Sequence, residues 1–414
     1  MFQFKISTEQ SLSFIFYGFC LCFFSGFGQT YFIAIFNGSL SKDLSLSLSQ
    51  LGSLYGAATF SSALLLIPIG KLIDEIDLRF FTFLSFIILS LACIALSKAN
   101  GPLTLYLSFL ILRLGGQGLM SHTAMTSMSR YFQKQRGIAT SISNIGFAAG
   151  IAFFPIMAAK TLQYYDWREI WATCSLLLIF LIMPFCIFLL RDHAHRHEKY
   201  MINQSNQEKL NGRIVTQGWS RRFVIRDKNF YLLLPLIMTL PFIATGIQFH
   251  QVVLVAEKEW SLTMWASGYS VAAIFNVVGG LFAGFLLTYL GGVKKVVPWF
   301  ILPLVISLSL LILFESTNTI WFFMLFNGLA GGIYGVVNNI LWVELYGTTN
   351  IGSIRSLVMS IGIFAAALAP AVMGYLIDAG LSIRVIAVGS LIYIFLSMFL
   401  ASFANINSKS IPSL

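Results

Sequence analysis

The stretch Leu110–Met125, LILRLGGQGLMSHTAM, sets an arginine, a glutamine and a histidine inside a long apolar run. A guanidinium at such a place can grip an anionic group, hold carbonyl oxygens or balance a carboxylate. Spacing separates the three residues. At about 100° per residue of an α-helix, Gln117 and Met120 lie within about 40° of Arg113, while His122 lies about 180° away, on the side of Gly115 and Gly118. Small residues mark a helix packed closely on its neighbours, so His122 reads as a hydrogen-bonded packing residue and Arg113 as the one facing other surroundings. Arg113 is about 16 Å into a helix of about 40 Å, near its middle. All 16 Asp and Glu lie in or near loops, which places no carboxylate at that depth. Arg113 is left with water, side-chain and backbone oxygens, those of the first apolar span among them, or the anionic group of a solute.

Other polar side chains inside apolar runs fall on stripes. Cys22, Gly26, Gln29 and Ile33 share one helical face near the amino terminus, and Asn327, Gly331, Tyr334 and Asn338 share another far downstream. Each stripe is a candidate cavity lining, and the competing role for Gln29, Asn327 and Asn338 is interhelical hydrogen bonding, worth about 0.6 kcal/mol on average in membranes. His193 and His197 in RDHAHRH have the spacing of paired metal ligands, but no further Cys or acidic residue is placed to complete a site. We expect neither a metal nor a cofactor. His122 and His250 lack a catalytic context, and no G-x-x-x-x-G-K-[ST] loop occurs, so no enzymatic residue and no nucleotide-driven step is expected.

The elements that carry these residues follow from composition. The 414 residues are 57% hydrophobic and 10% charged, with 39 Phe, a balance foreign to soluble domains. Runs long enough to cross a bilayer, roughly 17 to 25 residues, stand at 12–36, 50–69, 80–97, 103–128, 138–159 and 170–190, and again at 230–253, 263–288, 296–314, 319–343, 356–377 and 383–404. The first is longer than a signal-peptide core and has no small-x-small site after it, so it reads as a retained helix. With a cytoplasmic amino terminus, Lys42, Lys98, Lys160, Arg168, Lys258 and Arg384 lie outside and Arg113 within the membrane, leaving 19 of the 26 Lys and Arg on the cytoplasmic side. The positive-inside rule selects that orientation, with both termini cytoplasmic in an inner or plasma membrane. The net charge of +10 then belongs to loops facing anionic headgroups, and nucleic acid is not expected as a partner. The five cysteines all lie inside apolar spans, where a thiol acts as a small hydrophobe.

Organisation is read as two six-helix bundles, residues 1–190 and 230–414, joined by the cytoplasmic linker 191–229 with nine basic and four acidic residues. Internal echoes support a duplication: GKLID at Gly70–Asp74 against GFLLT at Gly284–Thr288, LRLGGQG against FNGLAGG, and Gly146–Pro155 against Gly362–Pro370. On these features the chain resembles the major facilitator superfamily over nearly its whole length. Gly70, Asp74 and Arg79 are similar to its G-x-L-x-D loop motif, with Glu75, Asp77 and Leu78 departing from it. Arg113 with Gly118 is similar to the motif of the fourth helix. YFQKQRGIA (Tyr131–Ala139) and Asp166-Trp167-Arg168 resemble the branch of monocarboxylate carriers and oxalate/formate exchangers, and FHQ at Phe249–Gln251 with ELYGTTNIGSIRS at Glu344–Ser356 resembles uncharacterised bacterial members of it.

The resemblance implies an all-α integral membrane protein with twelve transmembrane helices in two pseudo-symmetric bundles. It implies a secondary transporter working by alternating access on a small organic solute, most simply a carboxylate-type anion, with a coupling ion or exchanged anion. Helices 1, 4, 7 and 10 line the cavity in that family, which gives Arg113, Gln117, Gln29, Gln248, Asn327, Tyr334 and Asn338 as solute-binding candidates. Gly70, Asp74, Arg79, Arg130 and Arg136 are the gating candidates, with Asp74 accepting hydrogen bonds from a facing helix end or from Arg130 or Arg136. A monomer is expected. The competing readings are a drug or metabolite exporter of the same superfamily and a non-transporting membrane sensor.

Overall fold

The structure is a computed structural model that describes residues 9–132, 136–194, 196–198, 219–347 and 350–405, without the side chains of residues 9–11, Asp74, Arg136 and Gly137. The described residues contain helices and no strand. In hydrocarbon every backbone N–H and C=O needs an internal partner, and a helix supplies one within its own segment. We number the spans α1 (Leu12–Gly28 continued by Thr30–Asp43), α2 (Leu48–Lys71), α3 (Leu78–Ser97), α4 (Pro102–Tyr131), α5 (Arg136–Thr161), α6 (Trp167–Leu189), α7 (Lys228–Phe249), α8 (Leu262–Leu290), α9 (Leu302–Leu313), α10 (Thr319–Tyr346), α11 (Ile351–Asp378) and α12 (Ile383–Ser402). Ten are single helices long and apolar enough to cross a membrane, and α1 adds a broken one. The ninth expected run is helical only over the twelve residues of α9. Pro298 and Pro303 are the reason: turns occupy the chain before Leu302, and Pro303 sits in the first turn of α9.

Side chains mark where helices begin and end. Asp77, Asp166, Asp227, Ser261 and Ser382 accept first-turn amides of α3, α6, α7, α8 and α12. Gly291, at φ 73°, closes α8 in the left-handed conformation that glycine adopts without penalty.

The chain forms two compact units, one of Met1–Ser39 with Ala57–Ile214, the other of Leu40–Gly56 with Val215–Leu414. α2 is thus shared between them. In the first unit α1 packs on α5, and α3 on α4 and α6. Phe23, Phe24, Phe27 and Phe32 gather around Phe154. In the second unit α8 packs along α10, and α7 along α11 and α12. There Gly52 and Gly56, four residues apart at the start of α2, lie against the Pro370 and Ala367 carbonyls of α11, the close backbone approach that small residues permit in membranes.

Candidate functional site

The first unit answers what Arg113 holds. α1 is interrupted at Gln29, whose backbone is extended at φ −94° and ψ 150°, and its two pieces meet at 47°. An interrupted helix leaves carbonyls without the amide four residues on. Phe32 N and Ile33 N both donate to the Gln29 carbonyl, so the Gly28 carbonyl needs another donor. Arg113 Nη1 supplies it at 2.8 Å, from a side chain only 3% exposed. The break is held by backbone contact as well: a Cβ on Gly116 would lie 2.6 Å from Gly28 Cα, and one on Gly28 would lie 2.3 Å from the Leu112 carbonyl oxygen.

Arg113 also opens a π-helical stretch, Arg113–Met120, inside α4. This corrects the angular reading from sequence. Bonding from i to i+5 winds the chain more slowly than the α-helix, and Met120 is fully buried while Gln117 is half-buried. They do not share one environment. Gln29, at the break of α1, is half-buried too, and neither glutamine amide has a hydrogen-bond partner among the described residues. His122, one turn further, bonds through Nε2 to the Gly70 carbonyl oxygen at 3.0 Å, the packing role read from its glycine-side position.

In the second unit Asn327, Tyr334 and Asn338 are all half-buried along α10, as is Gln248 on α7. Trp342 Nε1 donates to Asn338 Oδ1 at 2.9 Å, which makes Asn338 part of the packing of its own helix. Tyr334 lies 6.4 Å from the Phe300 ring. Gln248 and Asn327 have no hydrogen-bond partner among the described residues. Gln251, which the sequence marks only as the end of the FHQ motif and not as a site residue, is fully buried and accepts from Trp265 Nε1 at 2.8 Å and Tyr269 OH at 2.9 Å. The residues alone carry no signal for this role, because both aromatic donors stand on α8, a helix that only packing brings to Gln251. His250 Nε2 bonds to the Pro370 carbonyl oxygen at 2.9 Å.

Of the gating candidates, Gly70 contributes its carbonyl to His122, and Arg130 donates from Nη1 to the Ile73 carbonyl at 3.0 Å. The side chains of Asp74 and Arg136 lie outside the described residues. Arg79 pairs with Asp77 at 3.3 Å, and Asp77 also accepts the Arg79 amide to cap α3. Burial works against the Asp77 charge, yet the bonds from Arg79 outweigh it and hold the carboxyl below the usual carboxylate range.

After α6, His193 is buried beside Phe14 and Tyr131, Arg196 lies 4.0 Å over the Phe14 ring, and Tyr131 OH meets His197 Nδ1 at 3.0 Å. Burial lowers the His193 pKa to about 4, with the Asp77 charge pulling the other way. Among the described residues no three His, Cys, Asp or Glu converge as a metal site, and His195 is outside them. All five cysteines are free and buried.

A helical membrane bundle in two units, with a broken first helix stitched by an intramembrane arginine, is the build of a polytopic solute carrier rather than of an enzyme. The chain belongs to the Major Facilitator Superfamily, whose profile matches residues 18–370, and it is a secondary transporter of that type. A probable nitrate transporter of Staphylococcus epidermidis is 29% identical over 157 residues, 37% of this chain and 38% of that protein. A probable L-galactonate transporter of Escherichia coli strain K12 is 22% identical over 398 residues, 88% of this chain and 84% of that protein. The fold is similar to that of a bacterial homologue of the human lysosomal transporter Spinster, with a TM-score of 0.67 at 16% identity over 96% of this chain and 98% of the other.

Proposed function

We propose that this transporter moves a small organic anion of carboxylate type by alternating access across the inner or plasma membrane. The observation that carries the reading is Arg113, a cation near the middle of α4 at the break of α1. Its guanidinium has five N–H donors in a planar fork matched to a carboxylate, and one of them goes to the Gly28 carbonyl. Structural and solute-binding roles coexist on this side chain: the carbonyl fixes one edge, and the carboxylate engages the fork. Gln29 and Gln117 in the first unit, and Gln248, Asn327, Tyr334 and Asn338 in the second, supply the neutral polar lining. The names of the two relatives support an anion, since nitrate and L-galactonate both carry negative charge. The motif at Tyr131–Ala139 with Asp166–Arg168 supports the monocarboxylate and oxalate/formate branch.

In this reading residues 1–190 and 230–414 are the two moving bundles, the linker 191–229 and both termini are cytoplasmic, and the solute is driven by a coupling ion or an exchanged anion. Gly70, Asp74, Arg79, Arg130 and Arg136 form the cytoplasmic gate, whose hydrogen bonds break as that side opens. The test is ligand affinity on purified, folded variants. Arg113→Lys keeps charge and loses the fork, and is expected to weaken a carboxylate ligand by about tenfold. Arg113→Gln removes the charge and should cost more, sparing the neutral amide analogue of the same ligand. Equal loss for acid and amide, or loss for neither, refutes the carboxylate role.

A further inference from the structure

Asn276 stands in the middle of α8, fourteen residues from each end of Leu262–Leu290. Bulky exposed side chains mark the outward apolar face of this helix: Ile274, Leu281 and Phe285, all about 140° to 180° around from Asn276. Buried Tyr269, Ala272, Ala283 and Leu287 lie within about 40° of it. Asn276 therefore belongs to the packed face, and yet it is exposed. A packed-face residue that remains exposed at mid-helix stands where the packing around α8 leaves an opening.

Gly331 of α10 makes room for the amide: a Cβ there would lie 2.6 Å from Asn276 Nδ2. Gly331 falls in the half-buried stripe with Asn327, Tyr334 and Asn338. Neither Asn276 nor Asn327 has a hydrogen-bond partner among the described residues. In hydrocarbon such amides would be strongly disfavoured, so they mark a wetted or ligand-filled space.

We propose that Asn276 and Asn327, flanking the notch at Gly331, form a neutral hydrogen-bonding subsite for the hydroxyl groups of the solute. An amide offers both donors and acceptors, and a hydroxyl is both. An anion without O–H or N–H groups, such as nitrate, accepts only and would use half of that capacity. The subsite thus assigns the solute to the polyhydroxylated organic acids. The acid part of that class rests on the carboxylate reading of Arg113, and the hydroxyl part rests on α8 and α10 alone.

The experiment uses the purified full-length chain and two readouts. With the five native cysteines replaced, Asn276→Cys is expected to react with a charged, water-soluble methanethiosulfonate reagent, and Ile274→Cys is not. An unreactive Asn276→Cys overturns the proposal. Binding is then measured for gluconate, for hexanoate, which keeps the carboxylate and six carbons without hydroxyls, and for sorbitol, which keeps the hydroxyls without the carboxylate. Wild type is expected to bind gluconate at least about tenfold more tightly than hexanoate. Asn276→Leu is expected to bring the two within about twofold by weakening gluconate alone. Equal losses for both acids, or no loss, overturn the subsite. If the protein binds sorbitol and no carboxylate, and Asn276→Leu abolishes that binding, the subsite stands and the carboxylate reading of Arg113 falls. A wild-type protein that binds neither gluconate nor sorbitol overturns the subsite, and hexanoate then decides the Arg113 reading separately.

Discussion

A single buried side chain shows how position sets chemistry here. His193 is 1% exposed, its Nδ1 has no hydrogen-bond partner among the described residues, and Asp77, Arg79, Arg196, His197 and Tyr131 surround it. Its folded pKa of about 4 lies below the value of about 6.5 expected in an unfolded chain. Above about pH 6.5 neither state is charged and the group contributes nothing to pH dependence. As pH falls from about 6.5 to about 4, the unfolded chain takes up a proton that the folded site refuses, so stability is lost across that window. His193→Leu should therefore flatten the decline of the melting temperature between pH 7 and pH 4.5. A variant that melts in parallel with wild type over that range would show that His193 is not the group responsible.

Among the elements, α1 and α4 depend on one another at the break. The interruption at Gln29 frees the Gly28 carbonyl, Arg113 takes it, and Gly28 and Gly116 bring the two backbones together. Over-packing such a contact costs about 1 to 3 kcal/mol. Gly116→Ala is expected to lower the melting temperature and the folded yield in detergent. Gly284→Ala on α8 is its control, because a Cβ there meets nothing within 4 Å and alanine gains up to about 1 kcal/mol in helix propensity. If both variants behave alike, backbone approach is not what holds the break. Apolar periodicity does not reveal such a break, since Gln29 reads as one more polar residue on a helical stripe.

For the whole molecule, charge asymmetry predicts orientation. Tyr164, 81% exposed between α5 and α6, is expected outside, and Glu198, after α6, is expected in the cytoplasm. In a background without native cysteines, Tyr164→Cys should react with an impermeant reagent applied to intact cells, and Glu198→Cys should react only after permeabilisation. The reverse pattern would invert the topology.

Some of this is legible in residues alone, because lipid imposes a constraint that acts on every residue of a span. Apolar runs must become helices, charge must stay at their ends, and an arginine inside one must have a reason. Run length and Lys/Arg placement therefore led to the helical class, eleven of the runs and the special position of Arg113. What tertiary structure decided are the matters of local winding and of neighbours. The π-helical turn winds more slowly than an α-helix and so separates Met120 from Gln117. Prolines shorten α9. The Gly28 carbonyl becomes the partner of Arg113 only once two segments 85 residues apart meet. Gln251 and Asn276 are both amides in apolar helices, and sequence gives no reason to treat them differently. Gln251 is enclosed by Trp265 and Tyr269, while Asn276 is left open beside a glycine, because a side chain's hydrogen-bond partners come from helices that only packing brings together.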